Sequence, residues 1–177
     1  MPIFLDDEDK TVFVSLFKRY LSPKAERKPD RHYYPTYHGD VEILTFALMS
    51  NHFHLLVYQV NERSITSFMR SLMISYGRYF NKKYQRQGPV FQSRYLAKII
   101  EDTDYLTHMS RYIHLNPENW QRTTDNSLDF YSRKRHANWI NPKKILQMFP
   151  SYEAYLEFLK TYDPKQDEVF ADIEPDD

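Results

Sequence analysis

At 177 residues, with 41% hydrophobic and 27% charged content, the chain has the make-up of a globular protein with one domain and at most a small appendage. No apolar run approaches the roughly 18 residues of a membrane span, and Met1-Pro2-Ile3-Phe4 lacks the regions of a signal peptide, so the expected location is cytoplasmic. The absence of cysteine excludes disulfides and thiolate metal sites, while a net charge of zero hides a strong segregation.

Residues 163–177 carry seven acids against one lysine, and residues 6–9 are all acidic. Between Lys10 and Tyr162 there remain 23 basic and 13 acidic side chains, a surplus of ten. A basic body with 15 tyrosines and 12 phenylalanines suits a nucleic-acid surface, because cations hold phosphates and aromatic faces stack on bases. Aromatic residues in the core and lysines kept for solubility account for most of the same counts.

In chain order, acids at 6–9 followed by Val12, Phe13, Leu16, Phe17 and Tyr20 predict a first helix that ends before Pro23. Residues 22–40, with Pro23, Pro29, Pro35 and Gly39, read as an irregular connection. Glu42 to Met49 and His52 to Val60 predict a hairpin turning at Ser50-Asn51. On its second strand His52 and His54 share one face and Phe53 and Leu55 the other. Two imidazoles on one face can hold a divalent ion with open positions, although a bare His-x-His is more often a half-buried strand with histidines on its polar side.

Ser64 is the expected N-cap of a second helix, whose stripe Ile65, Phe68, Met69, Leu72, Tyr76, Tyr79 and Phe80 runs to about Tyr84. After the break at Gln87-Gly88-Pro89, residues 94–100 have the composition of another strand. A third helix follows from Asp102 or Thr103 and ends near Asn116, because Pro117 disfavours helical geometry in the residue before it. Tyr112 and Asn116 fall on one helical face, where a carboxamide oxygen could complete the histidine pair and a phenol would stand beside it. The plainer reading packs Tyr112 in the core and lets Asn116 end the helix. Helices and a hairpin in this order make the fold class α+β.

The segments Ala47-Leu48-Met49-Ser50-Asn51-His52-Phe53-His54-Leu55-Leu56, Gly88-Pro89-Val90-Phe91-Gln92-Ser93-Arg94-Tyr95 and Tyr112-Ile113-His114-Leu115-Asn116-Pro117 resemble single-tyrosine HUH transposases, most closely the REP-associated tyrosine transposases. The similarity runs from about Ile3 to Tyr162. It implies a ferredoxin-like (RRM-like) sandwich with a central antiparallel sheet, and a metal site of His52, His54 and Asn116 holding Mg²⁺ or Mn²⁺. Tyr112 corresponds to the nucleophile that joins the 5′ phosphate of single-stranded DNA next to a hairpin and releases a 3′ hydroxyl. The implied activity is that of a single-stranded DNA endonuclease and strand transferase, in a monomer or homodimer.

Arg70, Arg78, Lys82, Lys83, Arg86, Arg94 and Lys98 cluster on the second helix, the loop and the following segment, and are the expected phosphate contacts. His108 and His114 are further candidates for proton transfer. The resemblance divides the chain into a nuclease domain over residues 1–119, a helical DNA-contacting extension over 120–162 and an acidic, disordered tail over 163–177. In the extension, a basic run with Tyr131 and Trp139 is placed to meet the hairpin. The strand and Arg-Gly stretch with which family members begin are missing here, which could leave an open sheet edge, invite strand exchange with another molecule, or reflect a truncated or misassigned start. Two other readings remain: an inactive or domesticated hairpin-DNA-binding protein, and a metal hydrolase that uses water in place of Tyr112.

Overall fold

The computed structural model describes residues 1–162, so the acidic tail at 163–177 lies outside the described residues. The elements are α1 (Asp7–Leu21), β1 (Val41–Leu48), β2 (Phe53–Gln59), α2 (Ser64–Lys83), α3 (Thr103–Leu115), α4 (Leu128–Tyr131), α5 (Lys143–Leu146) and α6 (Tyr152–Lys160). The α+β class is as expected. β1 and β2 pair antiparallel, from Val41 opposite Gln59 to Leu48 opposite Phe53, with an irregularity between Ile43 and Thr45.

β1 is buried along almost its whole length because helices cover both faces of the hairpin. On one face Ile43, Phe46 and Leu48 meet Phe13 and Phe17 of α1 and Phe68, Leu72 and Tyr76 of α2. On the other, Leu44, Ala47 and Leu56 meet Met109 and Ile113 of α3, Ile145 of α5 and Tyr155 and Leu159 of α6. Apolar groups at alternate strand positions thus nucleate two cores from one ribbon, each completed by a helical stripe. The far side of β1 is closed by chain rather than strand: Ile43 bridges Ile140, Ala47 bridges Asn126, and the Leu48 N–H donates to Asp125.

α1 begins where the Asp6 carboxylate accepts from the Asp9 N–H, with three acids in its first turn facing the positive end of the helix dipole. α2 starts differently from the prediction. Its cap position is Arg63, in the left-handed region at φ 64°, and the Ser64 hydroxyl turns back to the Asn61 carbonyl at 2.7 Å.

The strand expected at 94–100 does not form. Phe91 packs on Phe53 and Tyr76, and the Tyr95 hydroxyl lies 3.2 Å from that of Thr66 on α2, while Lys98 lies over the Tyr105 ring of α3. The segment therefore crosses between the two helical layers as extended chain, with Leu96 and Ile99 more than four-fifths exposed. Strand composition is realised only against a partner ladder, and here the chain is tethered by side chains at both ends instead. The described residues hold a two-stranded antiparallel sheet with helices packed on it.

Candidate active site

The tight turn at Ser50-Asn51 sets down two histidines at the start of β2. Their rings stand 5.0 Å apart, edge to face. Because His54 opposes Ala47, whose methyl belongs to the core beneath α3, the shared histidine face looks toward that helix. The ring of Tyr112 meets the ring of His54 at 5.4 Å. α3 is thus registered on the hairpin so that residues nearly sixty positions apart in sequence become neighbours.

His52 is oriented by the residue before it. Its Nδ1 lies 2.7 Å from the Asn51 side-chain oxygen, so this nitrogen carries the proton and Nε2 keeps its lone pair. His54 Nε2 is buried and has no hydrogen-bond partner among the described residues. A buried polar atom without a partner costs about 1–3 kcal/mol and calls for an explanation. Burial lowers the affinity of His52 for a proton, and burial together with the neighbouring His52 ring brings His54 down to about 4. Both imidazoles are therefore neutral near pH 7, the form in which an imidazole nitrogen donates to a metal.

Asn116 stands at the C-cap of α3, one turn beyond Tyr112 on the same face, and is half-buried. No hydrogen bond among the described residues joins it to either histidine. No group of three or more His, Asp or Glu side chains is close enough to hold a metal among the described residues, so any ion held here would rely on two imidazoles and an uncharged oxygen. The fit is consistent in kind: a preset His52, an orphaned His54 nitrogen and a carboxamide at the mouth.

A family model described as transposase IS200-like matches residues 34–116. This segment, just under half of the chain, is similar to the transposase IS200-like family. The IS200-like segment spans β1, β2, α2 and α3, and so contains His52, His54, Tyr112 and Asn116 together. The family carries a transposase role and hence a DNA partner. No curated protein and no solved structure matches the chain.

Around the IS200-like site, a buried polar network holds α3 in place. His114 is fully buried, with Nδ1 2.7 Å from the Tyr155 hydroxyl of α6 and Nε2 2.7 Å from the Ser127 hydroxyl. Ser127 in turn accepts from the Phe46 N–H of β1 and donates its own N–H to the Phe46 carbonyl. His114 therefore ties the last turn of α3 to the strand paired with the histidines. Burial drives its proton affinity down to about 3, so it is a neutral anchor rather than the proton carrier considered from sequence. Only the fold reveals this, because Ser127 and Tyr155 are unremarkable in sequence. His108 contacts Arg111 at 2.9 Å and the ring of Phe158 of α6.

The seven basic residues predicted to contact DNA do not form one track. Arg70, Arg78 and Lys82 are exposed and recur at helical spacing along one side of α2, the layer on the opposite sheet face from α3. Arg94 and Lys98 are exposed on the crossing segment, and Arg86 is half-buried with its guanidinium over Phe80. Lys83 is committed elsewhere: its ammonium lies 2.8–2.9 Å from Asp6, Glu8 and Asp9, which raises its proton affinity and spends its charge inside the α1–α2 contact. Tyr131 and Trp139 are buried, Tyr131 bonded to Thr45 and the Leu44 carbonyl and Trp139 packed at tilted and edge-on angles among Phe17, Phe46 and Phe130. Neither offers a face to a DNA base.

Proposed function

We propose that the chain is a metal-dependent single-stranded DNA endonuclease and strand transferase that cleaves beside a DNA hairpin through a 5′-phosphotyrosine intermediate. The observation that carries this reading is the meeting of His54 and Tyr112 at 5.4 Å, across the interface between hairpin and helix, in a segment similar to the transposase IS200-like family. Tyr112 supplies the phenolic oxygen that bonds to phosphorus as the bond to the 3′ oxygen breaks; the phenol proton is released, and the departing oxygen takes one up as a 3′ hydroxyl. The phosphodiester energy is kept in the tyrosine link, so a second 3′ hydroxyl can reverse the step on another strand without a nucleotide cofactor.

His52, His54 and the Asn116 oxygen are the residues that would hold Mg²⁺ or Mn²⁺. Such an ion would polarise the scissile phosphate and offset the charge that builds on it. The donors are all neutral, which leaves the cation's charge for the phosphate and makes metal affinity depend on bound DNA. Asn51 orients His52 with Nε2 free to ligate, and the His114 anchor holds the last turn of α3, two residues after Tyr112.

Denaturing gel electrophoresis of the protein incubated with labelled hairpin-bearing single strands and Mn²⁺ tests the reading. A covalent adduct is expected with the wild type and not with Tyr112→Phe or His54→Ala. Hairpin binding without any adduct would favour a binding-only relative, and cleavage that survives Tyr112→Phe would favour a water-using hydrolase.

A further inference from the structure

The sheet face that carries the histidines leaves unused a groove on the other side of the molecule. It lies between the outer side of α2 and the connection after α1, encloses about 490 Å³ and is walled by Tyr20, Tyr34, Pro29 and Ile74. Lys28 and Arg78 stand on its rim. Its wall is preformed rather than loose: the Lys28 N–H donates to His32, the Arg31 N–H returns to Lys28, Arg27 bridges Tyr33, and the Tyr34 N–H donates to Glu26. The Tyr20 hydroxyl lies 2.6 Å from that of Ser75, fixing α1 against α2 at the groove floor.

We propose that this groove holds one unpaired nucleotide of a DNA strand, its base against Tyr34 and the proline and isoleucine walls and its phosphate between Lys28 and Arg78. The inference deepens the proposed single-stranded DNA activity and rests on that reading for its choice of ligand. Three features select a nucleotide. The Pro29 and Ile74 walls and the Tyr34 ring suit a base, because base–aromatic stacking is strong and tolerant of sequence; the Tyr34 ring carries the Arg19 guanidinium at 4.5 Å and the Lys28 ammonium at 5.4 Å, so a base stacking there displaces the flexible Lys28 side chain toward its phosphate. Arg78 continues along α2 into Lys82 on one side and Arg70 on the other, three exposed cations on one helical side with no carboxylate partner among the described residues, so the backbone on either side of the nucleotide has phosphate contacts. Asp30, also on the lining, opposes a bare phosphate filling the groove but can accept from the exocyclic amine of a base. The site lies in the layer opposite α3, so it acts as a second hold on the strand, apart from the reacting phosphate.

Two measurements test this. In the first, a short single strand bearing 5-iodouracil is irradiated with the unmodified protein and the crosslinked peptide is mapped. Crosslinks within residues 27–35 are expected, and crosslinks confined to other segments would overturn the proposal. In the second, anisotropy with a labelled strand compares wild type with the pair Lys28→Glu and Arg78→Glu, and with Arg78→Glu alone because Arg78 is exposed whereas the half-buried Lys28 rests its ammonium over the Tyr34 ring, at a temperature where thermal unfolding shows every protein folded. Affinity should fall roughly tenfold and its salt dependence should flatten. Unchanged affinity would sink the groove even if Tyr112 proves to be the nucleophile. Conversely, groove crosslinks in a protein that forms no adduct would leave the groove standing and remove the catalytic reading.

Discussion

His54 is poorly placed for stability, and the proposed metal site would give its unsatisfied nitrogen a partner. Its Nε2 is buried without a partner among the described residues, so truncation removes an unsatisfied group along with the ring. We expect His54→Ala to change unfolding free energy by no more than about 1 kcal/mol in urea titration while abolishing the adduct. His114 is the opposite case. Both ring nitrogens are engaged in the core, and His114→Ala should cost about 3 kcal/mol by stranding the Tyr155 and Ser127 hydroxyls around a cavity. The pH dependence has a definite sign. In the unfolded chain the imidazole takes a proton near its ordinary 6.5, whereas folded His114 refuses one until about 3 and folded His54 until about 4. The unfolded state therefore binds more protons in that window, and stability falls as pH drops from about 6.5 toward 3. Urea midpoints across this range should fall less steeply in His114→Gln than in wild type.

Between elements, the α1–α2 contact depends on one buried carboxylate. Asp9 accepts from the Leu5 N–H at 2.8 Å and from the Tyr79 and Tyr84 hydroxyls at 3.0 and 2.9 Å, and pairs with Lys83 at 2.9 Å. Burial pushes its carboxyl up, but these donors outweigh burial and hold it below the ordinary value. Its contribution is present above the unfolded carboxyl value of 3.8 and is lost as pH falls through the depressed folded one. Asp9→Asn should destabilise the fold by about 2–3 kcal/mol, because Lys83 and two tyrosine hydroxyls lose a charged acceptor. The crossing segment at 94–100 makes a contrasting prediction. Leu96 and Ile99 are exposed and support no ladder, so Leu96→Ser with Ile99→Ser should leave the melting temperature unchanged and lower aggregation in light scattering.

For the molecule as a whole, the second core joins elements on both sides of the expected boundary at 119. Leu128, Tyr131, Ile145, Tyr155 and Leu159 close over Leu44, Ala47, Met109 and Ile113. A chain ending at residue 119 would expose that face of the hairpin together with α3, and would lose Ser127 from the His114 anchor. Such a fragment should lack a cooperative unfolding transition and aggregate on size-exclusion chromatography, whereas residues 1–162 should unfold in one step. No helix among the described residues is long and apolar enough to cross a membrane.

What sequence by itself determined is what depends on local pattern. The helix at 7–21, the hairpin with its turn at Ser50-Asn51 and the end of α3 before Pro117 follow from periodicity, turn chemistry and proline sterics, while spacing and resemblance singled out His52, His54, Tyr112 and Asn116 as candidates, of which the fold brings the first three into ring contact. The tertiary structure decided everything that requires a distant partner. It denied a ladder to 94–100, diverted Lys83 into an acidic cluster, buried Tyr131 and Trp139, and turned His114 from a proton carrier into an anchor. A side chain's type sets what it can bond to, but burial and the groups facing it choose among those bonds, and both are properties of the packed chain.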